Sequence, residues 1–164
     1  DCKKRAAELR DELLFKQPKS SHLGDCPICM LPLPLDLSKS KMASCCIKVI
    51  CLGCDHANDL RIDEGKLQHT CPFCREATPS TDEGSDNQRM KRVEVNDPVA
   101  LTHEGIQQCK KDDYRSAFEW YTRAAELGYV EAHYRLSILY QEGHGVEKDR
   151  GKQIHHLEEA AIGG

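Results

Sequence analysis

The chain has few aromatic side chains, no excess of positive charge and no long apolar run. Aromatic residues make up 5% of its 164 residues, and hydrophobic residues 39%. Because so little apolar surface is available, any core is thin and needs metal ions or stacked small units to support it. Lys and Arg number 23 against 27 Asp and Glu, which gives a net charge of −4. This balance excludes binding to nucleic acid or to an anionic membrane through a cationic surface.

No apolar run approaches the roughly 18 residues that a membrane-spanning helix requires. The chain also shows no apolar signal segment at its start, although it contains ten cysteines. We therefore expect a soluble protein of a reducing compartment, the cytoplasm or the nucleus, with thiolates rather than disulfides. Because the sequence begins without Met and stops inside a repeat, we expect it to be a fragment of a longer protein.

Four stretches differ in composition. Residues 1–17 carry apolar side chains at three- and four-residue intervals, which predicts an amphipathic helix. Residues 24–75 contain eight cysteines and several prolines, which indicates a loop-rich module held by metal. Residues 76–97 are polar and predict a flexible linker, because such a segment buries too little surface to order itself. From residue 98 onward the apolar spacing becomes helical.

Two similar units, residues 98–128 and 130–164, follow the linker. Each is predicted to form a helix, a turn and a second helix, with alanines that let antiparallel helices approach closely. One such unit cannot cover its own apolar face, so the units must stack. The predicted fold is therefore a small zinc-stabilised module followed by an all-α helical repeat solenoid.

The eight clustered cysteines form four pairs, three of them with the spacing C-x2-C. The pairs are Cys26 and Cys29, Cys45 and Cys46, Cys51 and Cys54, and Cys71 and Cys74. Eight thiolates can hold two tetrahedral Zn²⁺ ions with no coordination position left for water, so both ions would be structural. Iron–sulfur ligation stays open as an alternative, although one cluster needs only four thiolates. Disulfides are disfavoured by the expected compartment and by the adjacent pair.

The motifs CPIC at residues 26–29 and CPFCR at residues 71–75 resemble those of RING-type zinc fingers, in particular the all-cysteine variants. The resemblance implies a cross-brace of interleaved ligand pairs with a short β hairpin and one helix. The first zinc would take Cys26, Cys29, Cys51 and Cys54, and the second Cys45, Cys46, Cys71 and Cys74. Adjacent side chains in extended backbone point apart, so an alternative replaces Cys45 or Cys46 with His69 or His56.

RING domains dock a ubiquitin-conjugating enzyme, and the resemblance implies the same partner here. The matching docking positions are Ile28 and Pro72, and Arg75 would be the residue that bridges ubiquitin and the conjugating enzyme. Each residue also has an explanation without a function: Ile28 packs in the small core, Pro72 stiffens its turn, and Arg75 is a solvated charge. The helix expected after Cys54 lacks the large aromatic residue that many active RING domains carry.

Two other zinc modules fit the sequence poorly. A histone-tail reader of the cross-braced type carries tryptophan two residues before the seventh ligand, where this chain has His69. A nucleic-acid module would be basic, whereas eight thiolates and two zinc ions make residues 26–74 acidic. We therefore expect no nucleic-acid partner.

The motifs WYTRAAELG at residues 120–128 and YQEGHGVEKD at residues 140–149 resemble Sel1-like repeats, relatives of the tetratricopeptide repeats. The resemblance implies a protein-binding scaffold for a substrate or adaptor protein. His156 and the residue after it replace the Trp120 and Tyr121 of the first unit, so the last helix is expected to pack less well. His155 and His156 are predicted to form a surface pair rather than a metal site.

Two hypotheses follow. In the first, the chain is a RING-type ubiquitin ligase, in which the zinc module recruits the conjugating enzyme and the repeats recruit the substrate. In the second, the chain is a non-catalytic, zinc-dependent scaffold for protein–protein interaction.

Overall fold

The computed structural model describes residue 4, residues 8–11 and residues 23–163. The chain divides into two compact units: residues 20–95, here called the cysteine unit, and residues 1–19 with 96–164, here called the repeat unit. The helix predicted for residues 1–17 falls largely outside the described residues, of which residues 4 and 8–11 are helical. None of the described helices is both long enough and apolar enough to cross a membrane.

The cysteine unit contains one hairpin and two helices within its described part. A 3-10 turn at Leu37–Lys39 leads into strand β1, Ser40–Met42, which pairs antiparallel with strand β2, Val49–Cys51. Helix α1, Leu52–Asp63, follows β2 directly. The buried core of this unit is small, and three residues form its centre: Cys26, Leu33 and Ile50. Since cysteine supplies part of so small a core, apolar burial alone does not account for the order of this unit.

The polar segment predicted as a flexible linker contains helix α2, Asp82–Glu94, and that prediction is therefore wrong for these residues. The Oγ1 atom of Thr81 caps the helix by accepting a hydrogen bond from the backbone N–H of Gly84 at 3.1 Å. Acidic residues occupy the first turn and basic residues the last turn, which suits the helix dipole. Capping and charge placement thus order a segment whose composition alone resembles disordered chain.

The repeat unit contains four helices in its described C-terminal part. They are α3, Pro98–Lys110; α4, Tyr114–Glu126; α5, Val130–Glu142; and α6, Arg150–Gly163. Each helix packs against the next along the chain. Ala100, Ala117, Ala124 and Ala132 are fully buried, so the small side chains do bring the helices together.

Helix α6 has no buried residue, whereas α4 has four. The weaker packing of α6 agrees with the expectation drawn from the replacement of Trp120 and Tyr121. Ile154 and Leu157 are 45% and 39% exposed. The corresponding face of α4 is covered by α5. Helix α6 packs on α5 and also meets Arg10, which pairs with Glu158 at 2.8 Å and with Glu159 at 2.9 Å.

Candidate metal centres and the groove beside them

Three turns of the cysteine unit share one backbone geometry. They span residues 26–30, 43–47 and 71–75, and in each the N–H of the fifth residue donates to the carbonyl oxygen of the first, at 2.8, 2.8 and 3.0 Å. The fifth residue has a positive φ of 58°, 60° and 60° in the three turns. These residues are Met30, Ile47 and Arg75. In the first and third of these turns, the first and fourth positions are both cysteines.

The adjacent cysteines are placed by the second of these turns. Ala43 stands at its first position, while Cys45 and Cys46 occupy the third and fourth. Because the backbone is turned here rather than extended, successive side chains do not alternate between opposite faces. The steric objection to two neighbouring ligands on one metal therefore does not hold for this backbone.

The eight cysteines gather into two quartets, and within each quartet the Sγ atoms lie within 4.8 Å of one another. The first quartet is Cys26, Cys29, Cys51 and Cys54, and the second is Cys45, Cys46, Cys71 and Cys74. Neither group, among the described residues, includes His56 or His69, and both histidines are exposed. Each quartet combines two cysteine pairs that are separated in sequence by a pair of the other quartet.

The sulfur spacing suits a tetrahedral metal. The Sγ atoms of Cys29 and Cys51 are 3.8 Å apart, and those of Cys46 and Cys71 are 3.7 Å apart. Four sulfurs at 2.3 Å from one zinc ion would lie about 3.8 Å from each other. The pair Cys45 and Cys74 is closer, at 3.3 Å, but still far beyond a disulfide bond. The donor set and its spacing therefore fit two zinc ions.

The electrostatics of the first quartet favour the thiolate of Cys26 over that of Cys54. Burial raises the pKa of Cys26, but hydrogen bonds from the backbone of Cys29, Cys51 and Ile28 outweigh it and lower this pKa to about 6. Burial and the neighbouring thiols raise the pKa of Cys54 to about 12. Cys26 and Cys54 thus resist ionising together, because like charges in one site repel.

The second quartet behaves in the same way. The pKa of Cys71 is lowered: burial opposes the change, but backbone hydrogen bonds from Cys74 and Phe73 exceed it. Burial and the nearby thiols raise the pKa values of Cys45 and Cys46. A divalent cation would supply the charge that four thiolates need, so its binding would release protons.

Helix α2 holds the loops of the second quartet together through Gln88. The hydroxyl of Ser44, beside Cys45, donates to Oε1 of Gln88 at 2.7 Å. Nε2 of Gln88 donates to the carbonyl oxygen of Ala77 at 2.9 Å, and Ala77 pairs with Thr70, next to Cys71. The polar composition of this segment gave no indication of such a role, although a cap at Thr81 with oppositely charged helix ends was a usable signal.

A groove of about 680 Å³ lies beside the two quartets and takes lining residues from both of them. Ile28 and Cys54 belong to the first quartet's segments, while Pro72 and Arg75 belong to the second quartet's last turn. The structure thus brings together the three residues predicted to dock a partner. Ile28 is 45% exposed, and Arg75 reaches the groove from the positive-φ position that ends its turn.

The histidines of the repeat unit depart from the predicted surface pair. His155 is exposed, but His156 is half-buried, and its Nδ1 atom lies 3.0 Å from Nδ1 of His133 on α5. The ring of His156 also stacks on Tyr140, with centroids 5.7 Å apart. This contact joins α5 to α6 and requires that at least one ring be neutral.

We expect the repeat unit to lose stability as the pH falls from about 6.5, the ordinary histidine pKa, toward 4. Burial, followed by the charges of His133 and His155, lowers the pKa of His156 to about 4. In this window the unfolded chain binds a proton that the folded chain excludes, so acid favours unfolding. Among the other charged neighbours, Glu159 opposes the shift and Lys152 adds to it.

Thermal unfolding between pH 4 and pH 7 tests this expectation. His156→Gln removes the titrating ring, so its melting temperature should depend less on pH than that of the unaltered chain. His155→Gln, at the exposed neighbouring position, should keep the original pH dependence. Equal pH dependence in all three proteins would show that His156 is not the responsible group.

Comparison with known proteins identifies the repeats. The Sel1 repeat family model matches residues 101–129 and 130–164, so the two predicted Sel1 repeats are confirmed. Such repeats generally mediate protein–protein interaction. No RING family model matches the chain.

Two curated relatives share a short stretch with this chain. DAP3-binding cell death enhancer 1 of Rattus norvegicus is 30% identical over 56 residues, and that of Mus musculus is 34% identical over 58 residues. Each match covers 34% of this chain and 11% of the relative. The chain therefore corresponds to a small part of the length of either relative.

Proposed function

We propose that the cysteine unit is a RING-type zinc module that docks a ubiquitin-conjugating enzyme, while the Sel1 repeats bind a protein substrate or adaptor. The observation that carries this proposal is the groove, because it unites Ile28, Pro72 and Arg75 from segments of both quartets. The two quartets also alternate along the chain in the order that a cross-brace requires. A protein with thiolate-bound metal belongs in a reducing compartment, the cytoplasm or the nucleus.

Zinc would be held by the two quartets and would supply structure rather than chemistry, since four sulfur ligands leave no open position. The residues of the chain then act by position. Ile28 and Pro72 offer apolar surface to the conjugating enzyme, and the Arg75 guanidinium donates hydrogen bonds to ubiquitin and the enzyme together. Catalysis of this kind holds the ubiquitin thioester in a reactive pose while a substrate lysine attacks it.

Arg75 is suited to this role by its surroundings. Its side chain is exposed, and no acidic residue of the described chain is paired with it. Its backbone, by contrast, is held by the hydrogen bond from its N–H to the carbonyl oxygen of Cys71 at 3.0 Å. A fixed backbone with an uncommitted guanidinium pre-organises a contact to a partner.

A second candidate is a non-catalytic scaffold that uses the same zinc fold for binding alone. The helix side of the groove favours it, because Ala57 and Asn58 stand where a large aromatic residue would strengthen docking. The name of the two relatives describes a protein-binding protein, which also supports interaction as the role of the repeats.

Reconstituted ubiquitin transfer with a panel of conjugating enzymes separates the two candidates. We expect the zinc-loaded chain to be active, and Ile28→Ala and Arg75→Ala each to lower the rate at least about tenfold, because each removes a central contact. Leu35→Ala is the control, since Leu35 is 74% exposed and lies outside the groove. Inactivity of the zinc-loaded chain across a broad panel would favour the scaffold.

A further inference from the structure

The groove carries a local charge opposite to that of the chain as a whole. Arg61, Lys66 and Arg75 line it, and no aspartate or glutamate is among its described lining residues. The chain has a net charge of −4, and eight thiolates with two zinc ions would make residues 26–74 negative as well. The cationic rim therefore marks one place where an acidic partner is attracted rather than repelled.

Helix α1 produces this segregation of charge. Ala57, Asn58 and Arg61 lie on the groove side of the helix. Asp55 and Asp59, four residues apart, share a different face, and Asp55 is paired with Lys41 of β1 at 3.0 Å. None of the three acidic residues of α1, Asp55, Asp59 and Asp63, lines the groove.

Arg61 is the rim cation without another role. Lys66 is paired with Glu64 at 2.7 Å, and the proposed function already assigns Arg75. Within the described part of the chain, the exposed guanidinium of Arg61 has no ion pair. Arg61 lies on the side of α1 that lines the groove, where no aromatic residue is present. A partner would therefore meet a charged side chain at this position instead of an apolar one.

The floor of the groove indicates what kind of partner this cation meets. Ile28 and Leu67 are each 45% exposed, and Pro72 lies beside them. Exposed aliphatic side chains match an apolar protein loop, whereas a phosphate polymer would need a longer track of cations.

We propose that Arg61 selects, among conjugating enzymes, those whose docking loop carries a carboxylate beside its apolar contact. This inference rests on the proposed function and names the partner class of the same groove. A carboxylate facing Arg61 gains a bidentate ion pair at the rim, while a cation at that position is repelled. Arg61 is therefore a specificity-determining residue and takes no part in the transfer step.

Binding measurements on the zinc-loaded chain test the selection. The panel contains conjugating enzymes with an acidic, a neutral and a basic residue at the loop position that faces α1. Arg61→Glu should raise the Kd for the acidic members about tenfold and lower the Kd for the basic members. Changing the loop carboxylate of an acidic member to Lys should restore its binding to Arg61→Glu, and this preference should fade in high salt.

Lys91→Glu is the matched control, because it alters the net charge equally at an exposed position of α2 outside the groove. It should leave the order of preference unchanged. If wild type binds some members but Arg61→Glu binds all of them as wild type does, the selection by Arg61 is overturned while docking survives. If wild type binds no member, or binds an oligonucleotide through this groove instead, the proposed function itself fails.

Discussion

Treatment of the reduced, zinc-loaded chain with a strong chelator will abolish the ordered structure of residues 23–95 and leave helices α3 to α6 folded. The described part of the cysteine unit buries six hydrophobic residues, two of them cysteines, which is too few to offset the entropy of ordering such a segment. Structural zinc contributes on the order of 10 kcal/mol per site in small domains, which is as much as the whole stability of a typical protein. Amide NMR spectra recorded before and after chelation will show which residues lose their dispersed signals.

Two equivalents of zinc should restore the spectrum of the cysteine unit. Cys46→Ser should reduce the metal content from two ions per chain toward one, because it removes a ligand from the second quartet. Cys109→Ser is the matched control: Cys109 is a free thiol of the repeat unit and contacts the hydroxyl of Tyr121. A metal-free chain that still unfolds cooperatively between residues 23 and 95 would contradict both the metal sites and the ligase proposal.

Gly105→Ala will lower the stability of the repeat unit, although alanine is ordinarily the better helix former. A Cβ atom at Gly105 would lie 2.4 Å from the ring of Tyr121, which is 2% exposed and has no room to move. Overpacking of about 3 kcal/mol exceeds the gain of about 1 kcal/mol in helix propensity, which leaves a net loss of about 2 kcal/mol. In a unit of this size that loss lowers the melting temperature by roughly 10 °C.

Gly151→Ala is the matched control for the same substitution. Gly151 lies in α6, where an added Cβ would meet only a side-chain oxygen of Asp149 at 3.3 Å, so the melting temperature should change much less than in Gly105→Ala. Adding Tyr121→Leu to Gly105→Ala should cost less than the sum of the two single changes, because the smaller side chain relieves the contact. Equal melting temperatures for Gly105→Ala and the unaltered chain would show that α3 and α4 do not pack as closely as described.

The repeats could be predicted from the sequence because their information is local. Apolar spacing, alanine positions and turn glycines such as Gly143, which has a φ of 76°, specify each helix and its end within a few residues. The close approach of Gly105 to Tyr121 involves residues on two different helices, and helical periodicity does not reveal which glycine is needed for packing. The burial of His156 against His133 has the same origin.

The order of the cysteines indicated by itself that eight thiols form two sets of four, because their number and spacing match the demands of a tetrahedral ion. Backbone geometry decided that the adjacent Cys45 and Cys46 belong to one site. The positive φ of Ile47 closes the turn that contains them, and the sequence gives no sign of that φ value. Tertiary contacts decided that Gln88 of α2 joins two loops, because hydrogen bonds between distant segments leave no trace in a local polar composition. They also decided where the charges lie, so that a chain with an acidic total presents a cationic groove.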